Sequence, residues 1–239
     1  MERETRIQEL LKLEKRGVLL VAENLNFFSN PYFRSLVEGK EEEKIVQLVE
    51  DLLKGGKVGL DLLLPDLPTT LRIVPSLLPF EVPLFIDGCE ENWLLNLSSF
   101  PYYLIPNSIS FPFGEKGKEW LRKRKGVVMG RFPHHPVSLQ ERIKTAFLIY
   151  ESSKEEGIPT ENILLDPILY PLKKVPDGFP ILLNFLKELS PYFSSFFLPL
   201  SNLGGGEKKE ARKRIALEFL REIIPYLPEG KTYYILLPL

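Results

Sequence analysis

Eight short apolar runs, separated by longer stretches of mixed polarity, are the feature that most limits what this chain can fold into. They begin at Gly17 (GVLLVAENL), Lys57 (KVGLDLLLP), Val82 (VPLFIDG), Tyr102 (YYLIPNSIS), Gly126 (GVVMGRF), Asn162 (NILLDPIL), Phe196 (FFLPLSN) and Thr232 (TYYILLPL). Runs of this kind, about five to eight residues long with little alternation, suit strands covered on both faces and so a parallel sheet lined by helices. The intervening segments supply those helices. Ile45, Leu48, Val49 and Leu52 form one stripe along Glu41 to Lys54. Ser138 opens another helix, with Glu141 at capping-box spacing and Gly157 as the stop. Phe179 to Leu189 and Glu207 to Leu227 read as two more, whereas Pro65 to Ser98 is less regular. No linker or low-complexity tract divides the 239 residues. The pattern predicts an α/β fold, a single (βα)8 TIM barrel over residues 1–239. A helix from Arg3 to Arg16 would flank its bottom, and because the sequence ends directly after the eighth run, the final outer helix is missing.

Composition narrows the function. Apolar residues at 44% can build a core, and 26% charged residues argue against disorder. A formal net charge of −1 gives no global attraction for nucleic acid. With Cys89 as the one cysteine and His134 and His135 as the two histidines, an internal disulfide, a structural zinc site and a self-contained iron–sulfur cluster are all disfavoured, and no metal is expected. The opening MERETRIQELLKLEKRG lacks the apolar centre of a signal peptide. The most apolar later window, Ile181 to Leu203, is interrupted by Lys187, Glu188 and Pro191, so no membrane span is expected and the cytoplasm is the expected location.

In barrels of this kind the chemistry sits at the carboxyl ends of the strands. Polar residues collect there: Glu23, Asn24 and Asn26 on the first run, Asp61 on the second, Asp87 on the third, Asn107 and Ser108 on the fourth. Arg131 follows on the fifth, Asp166 on the sixth, and Ser201 with Asn202 on the seventh. Singly, several have a plain structural reading: Asp87-Gly88 and Asp166-Pro167 are ordinary turn dipeptides. As a set, two carboxylates and two carboxamides facing one mouth suit a flat, neutral heterocycle rich in N–H donors and ring acceptors, such as a pterin. A carboxylate accepts a pair of bonds from its amino edge, while an amide both donates and accepts.

These residues also resemble a known family. AENLN (22–26) is similar to the first-strand G-E-x-I-N of the pterin-binding barrels, specifically the methyltetrahydrofolate:corrinoid methyltransferases, a group that includes the folate-binding module of cobalamin-dependent methionine synthase. LFIDG resembles their third-strand L-x-[IL]-D-[ST] and PNSIS their fourth-strand I-N-S-x. GIPTENILLDPILYPL resembles G-[IL]-P-x-E-[DN]-[IL]-x-x-D-P-L-[IV]-x-P, and LPLSNLGGG the seventh-strand G-L-S-N-[VI]-S. The resemblance implies that Asp87, Asn107 and Asp166 hold the pterin ring, with Glu23, Asn26 and Asp61 as further pterin-binding positions. Asn202 would be catalytic, stabilising charge at the ring nitrogen that carries the methyl group. The substrate would be methyltetrahydrofolate or a related methyl-pterin, and the acceptor the cobalt of a corrinoid held by a partner protein. A homodimer is compatible with this reading.

The sequence departs from that pattern at several places. Leu63 stands where the second strand's asparagine is expected, MGRFPHHP replaces small polar residues on the fifth strand, and the glycine after Leu203 is tripled. A modified folate, such as a tetrahydromethanopterin-like carrier, is one consequence. Dihydropteroate synthases share the barrel and some of these aspartates and asparagines. Their seventh-strand S-R-K, however, is here Ser201-Asn202-Leu203, which lacks a cation for a pyrophosphate leaving group. A barrel that binds pterin or docks a corrinoid protein without catalysis is the third reading. The triple glycine invites comparison with a phosphate loop, but the Lys-Ser/Thr that such a loop needs is absent.

Overall fold

The computed structural model describes residues 17–54 and 59–238. The expected N-terminal helix, Arg3 to Arg16, lies outside the described residues. Eight parallel strands close into a barrel in sequence order. They are β1 (Val18–Asn26), β2 (Gly59–Leu63), β3 (Leu84–Asp87), β4 (Leu104–Phe111), β5 (Gly126–Gly130), β6 (Ile163–Leu165), β7 (Ser195–Leu198) and β8 (Thr232–Leu237). Around them run α1 (Pro31–Glu38), α2 (Glu42–Lys54), α3 (Leu67–Leu77), α4 (Leu94–Leu97), α5 (Glu115–Lys123), α6 (Leu139–Glu155), α7 (Gly178–Leu189) and α8 (Lys209–Ile223). Each apolar run of the sequence overlaps one strand, and no helix follows β8 among the described residues. No described helix is long and apolar enough to cross a membrane.

Local chemistry accounts for the helix starts. Ser138 and Glu141 form the capping box before α6, each taking the other's backbone N–H. Asn30 caps α1 by accepting from Phe33 N at 3.0 Å, and Asp66 caps α3 by accepting from Thr69 N at 2.7 Å. Prolines at the first turns of α1 and α3 cost nothing there, because those N–H groups have no helical partner.

Alternate residues of each strand serve two cores. Leu60, Leu62, Leu84, Ile86, Leu104 and Val128 pack outward beneath the helices. Val21, Phe85, Ile105, Val127, Leu164, Phe197, Tyr234 and Leu236 fill the barrel itself. The Phe85 ring lies 5.1 Å from that of Phe197 and 5.4 Å from that of Tyr234, so the interior is a solid plug. Any ligand must sit above it, at the carboxyl ends.

Candidate active site

Strand register assembles the mouth. Asn26 pairs with Leu63, Leu63 with Asp87, and Asp87 with Asn107, so four residues from β1 to β4 stand side by side in one row. Asp87 and Asn107 lie two residues beyond Phe85 and Ile105 and share their inward phase; Asp166 stands likewise two beyond Leu164. The register slips between Ala22 and Leu25 and between Asn107 and Ile109. Bulges of this kind re-aim side chains at a barrel rim.

Asn107 is 8% exposed, and its Nδ2 donates to Oδ1 of Asp61, itself 3% exposed, over 3.1 Å. Only the NH2 end of an amide can face a carboxylate in this way, so the Asn107 carbonyl is left to accept from a ligand. Asp61, expected as a pterin-binding position, is buried in the barrel wall and accepts from Asn107 there.

Asp87, the last residue of β3, and Asp166, directly after β6, are both half-buried. Burial raises the pKa of Asp87, opposed by the Gly88 N–H that Oδ1 accepts at 2.7 Å. Burial also pushes Asp166 up to about 7, and the negative charge of Asp87 adds to the rise. The Ile168 N–H, at 2.7 Å from Asp166 Oδ1, and the nearby Arg142 act in the other direction. Donors from a ring bound in the mouth would stabilise the ionised carboxylates and so oppose the burial that raises both groups.

Arg142 was not expected at the site. It lies on the core-facing stripe of α6 with Ala146, Ile149 and Ser153, and it is 5% exposed. Its guanidinium donates to the carbonyls of Val137 (2.8 and 3.0 Å), Pro167 (3.2 Å) and Ile168 (2.9 Å) and sits 5.0 Å from the centre of the Tyr170 ring. It thereby ties the loop after β5 to the loop after β6 and fixes the backbone that aims Asp166. A charged residue on an otherwise apolar helix stripe was the available signal.

The remaining expected residues divide. The Asn26 carboxamide oxygen accepts from Phe28 N and Ser29 N, both at 2.9 Å, so that oxygen holds the loop after β1. Glu23 falls within β1, and its side chain lies outside the described residues. Leu63 fills the place of the expected second-strand asparagine with an apolar surface between Asn26 and Asp87. Asn202 is not on β7 but on the 3-10 turn Leu200–Gly204 that follows it; it is exposed, and its side chain has no hydrogen-bond partner among the described residues. The neighbouring Ser201 is 1% exposed and its Oγ also lacks a partner among them.

The glycines are structural. A Cβ on Gly204 would lie 2.8 Å from Arg212 Cα, a Cβ on Gly205 would lie 2.6 Å from Pro171 Cγ, and Gly206 has φ +86°. The run lets α8 and the loop after β6 approach the turn closely. His134 Nε2 faces Glu141 Oε1 at 3.2 Å and His135 Nδ1 faces the Tyr170 hydroxyl at 2.7 Å, so both histidines are engaged by loop and cap residues.

No protein-family model matches the chain, and no curated protein matches it. Solved structures do. Dihydropteroate synthase of Xanthomonas albilineans with 4-aminobenzoic acid is similar at 14% identity, over 94% of this chain and 88% of that one, with a TM-score of 0.69. The same enzyme in complex with 7,8-dihydropteroate aligns with a TM-score of 0.68 at 14% identity, over 91% of this chain and 87% of that one. Dihydropteroate synthase of Burkholderia cenocepacia aligns with a TM-score of 0.62 at 16% identity, over 91% and 85%. At such identity the likeness shows the shared barrel fold.

Proposed function

We propose that the barrel mouth binds the ring of a reduced pterin and that the chain is a pterin-dependent transferase of the dihydropteroate synthase type. The observation that carries this reading is the clamp: Asp87 and Asn107 stand side by side in register, and Asp166 faces them with a carboxyl raised to about 7. An edge that offers an amino group and a ring N–H satisfies a carboxylate; a ring carbonyl and nitrogens suit the amides. Each buried bond left unmade would cost about 1–3 kcal/mol, so the same groups select the ring. Dihydropteroate synthases with the same fold, two of them solved with 7,8-dihydropteroate, support the choice of ligand.

A second reading is methyl transfer from methyltetrahydrofolate, or a related methyl-pterin, to the cobalt of a partner's corrinoid. One observation favours it: the turn after β7 offers an exposed, uncommitted amide at Asn202 and no cation in Ser201-Asn202-Leu203. In that chemistry the ring nitrogen leaves as an amine, and an amide beside it stabilises the developing charge without supplying the proton. Under either reading the protein works in the cytoplasm on a small molecule.

The deciding experiment is titration with 7,8-dihydropterin, 7,8-dihydropteroate and methyltetrahydrofolate, read by thermal shift and by fluorescence of Trp93 and Trp120. Saturable binding that Asp87→Asn and Asp166→Asn both weaken is the expected result. If none of the three binds, the pterin reading is wrong. Turnover of a dihydropterin diphosphate with 4-aminobenzoate, against methylation of a cobalt(I) corrinoid, separates the two chemistries.

A further inference from the structure

We infer that Ile168 and Arg142 form a positioning pair for Asp166: the guanidinium holds the Ile168 backbone in a strained left-handed turn, and that turn decides which carboxyl oxygen is left to a ligand. The pair's use rests on the proposed reading, in which Asp166 meets the bound ring.

Ile168 lies between β6 and α7, outside any helix or strand, and has φ +58°. A β-branched residue is an outlier there, because its side chain crowds the backbone. The other non-glycine residues with positive φ among the described ones, Lys40 and Glu81, are unbranched and exposed. Each stands where a helical turn ends, a place that commonly takes this conformation. Ile168 ends no helix. Strained backbone of this kind persists only where the surroundings hold it from several sides, and such residues gather at working sites.

Both ends of the Ile168 backbone are held. Its N–H donates to Asp166 Oδ1 at 2.7 Å, and its carbonyl accepts from Arg142 Nη1 at 2.9 Å. The same Nη1 reaches the Pro167 carbonyl at 3.2 Å, so one nitrogen spans two consecutive carbonyls. Nε and Nη2 both donate to the Val137 carbonyl, at 3.0 and 2.8 Å, which anchors the fork on the loop after β5. The Tyr170 hydroxyl accepts from Val137 N at 3.2 Å and closes the tie from the other side. The proline ring locks φ at residue 167 and biases Asp166 toward extended backbone, so the change of direction falls on Ile168.

The consequence lies in the carboxyl group. Oδ1 is tied to the turn, whereas Oδ2 has no hydrogen-bond partner among the described residues. If Ile168 relaxed to extended backbone, its N–H would leave Oδ1 and the carboxyl would turn freely. Arg142 thus acts on a ligand through Ile168, without touching it. A lysine in its place keeps the charge but lacks the planar fork that bonds several carbonyls at once.

The test is a double-mutant cycle in the full chain, with 7,8-dihydropterin as the probe, read by calorimetry. Arg142→Lys should weaken binding by about tenfold or more, the worth of a charge-assisted bond. In an Ile168→Gly background the same change should cost only about twofold, because glycine takes positive φ about as readily as negative. Ile168→Val, still β-branched, should give no such relief. Hydrogen exchange at the Ile168 N–H reads the pair without ligand and should be about tenfold faster in Arg142→Lys than in wild type. An equal loss of affinity in the isoleucine and glycine backgrounds, wild-type affinity in Arg142→Lys, or unchanged exchange at Ile168 would overturn the pair. Faster exchange as described, in a protein that binds no dihydropterin, would leave the pair standing and remove the pterin reading instead.

Discussion

Asn107 gives an amide hydrogen to Asp61 across the top of the barrel, 3.1 Å from β4 to β2, and both residues are buried. The bond decides which end of the amide faces the ligand. Asp61→Ala removes the acceptor and leaves a buried donor unsatisfied, which costs about 1–3 kcal/mol. The expected result is a lower unfolding free energy in urea together with weaker 7,8-dihydropterin binding. Asp61→Asn keeps a carbonyl acceptor and should recover most of both losses. Ligand affinity unchanged in Asp61→Ala would show that Asn107 needs no such orientation.

The raised carboxyl of Asp166 makes stability depend on pH. Its ordinary value is 3.8 and its folded value about 7, so between those values the folded chain holds more protons than the unfolded one. Stability therefore falls as pH rises through that window and levels off above about 7. Asp166→Asn removes the titrating group but keeps an oxygen for the Ile168 N–H. Thermal melts should show the variant matching wild type near the acid end of the window and melting higher at pH 8, by a few degrees (about 2–4 °C per kcal/mol). The same variant should bind dihydropterin more weakly, having lost a charged acceptor worth about 1.5–3 kcal/mol. A variant less stable than wild type at pH 8 would contradict the burial account.

The barrel itself was legible because predominantly apolar runs at regular spacing have few other uses: all eight overlap a strand. Four helices were not: α1, α3, α4 and α5. The α1 and α3 segments begin Asn30-Pro31 and Asp66-Leu67-Pro68, and α3 also contains Pro75, so they read as loop until the cap side chains are seen holding the first turns. The inward phase of Asp87, Asn107 and Asp166 followed from strand period. The uses of Asp61, Asn26 and Arg142 did not, because each depends on a partner distant in sequence or on which atom of a side chain is already committed. Asn202 was placed at the end of a strand; in the structure β7 stops at Leu198, and a 3-10 turn carries the amide beyond it.

The glycine run gives two outcomes of different kind. Gly204→Ala would put a methyl group 2.8 Å from a backbone atom of α8, and overpacking of this sort costs about 1–3 kcal/mol. It should also disturb ligand binding, because α8 must move away from the turn that bears Ser201 and Asn202. Gly206→Ala meets no atom within 4 Å and is strained only by φ +86°, at about 1–2 kcal/mol. It should lower the melting temperature and leave dihydropterin affinity unchanged. Loss of phosphate or nucleotide binding in either variant would restore the phosphate-loop reading that the close packing argues against.

Asn202 tests the choice between the two chemistries. It is exposed and uncommitted, so Asn202→Ala should change unfolding free energy by no more than about 0.5 kcal/mol. It should also leave 7,8-dihydropterin binding in place, since Asp87, Asn107 and Asp166 form the clamp without it. If the reaction is methyl transfer, the amide acts on charge that develops only as the ring nitrogen leaves. Removing one such preorganised group costs about 2.7–4 kcal/mol of barrier. Methylation of a cobalt(I) corrinoid by methyltetrahydrofolate should then slow by about a hundredfold or more with little change in KM. A wild-type methylation rate in Asn202→Ala would remove this residue from the chemistry. Corrinoid methylation absent from the unaltered protein, with condensation of a dihydropterin diphosphate intact, would leave the dihydropteroate synthase-type reaction as the one the mouth performs.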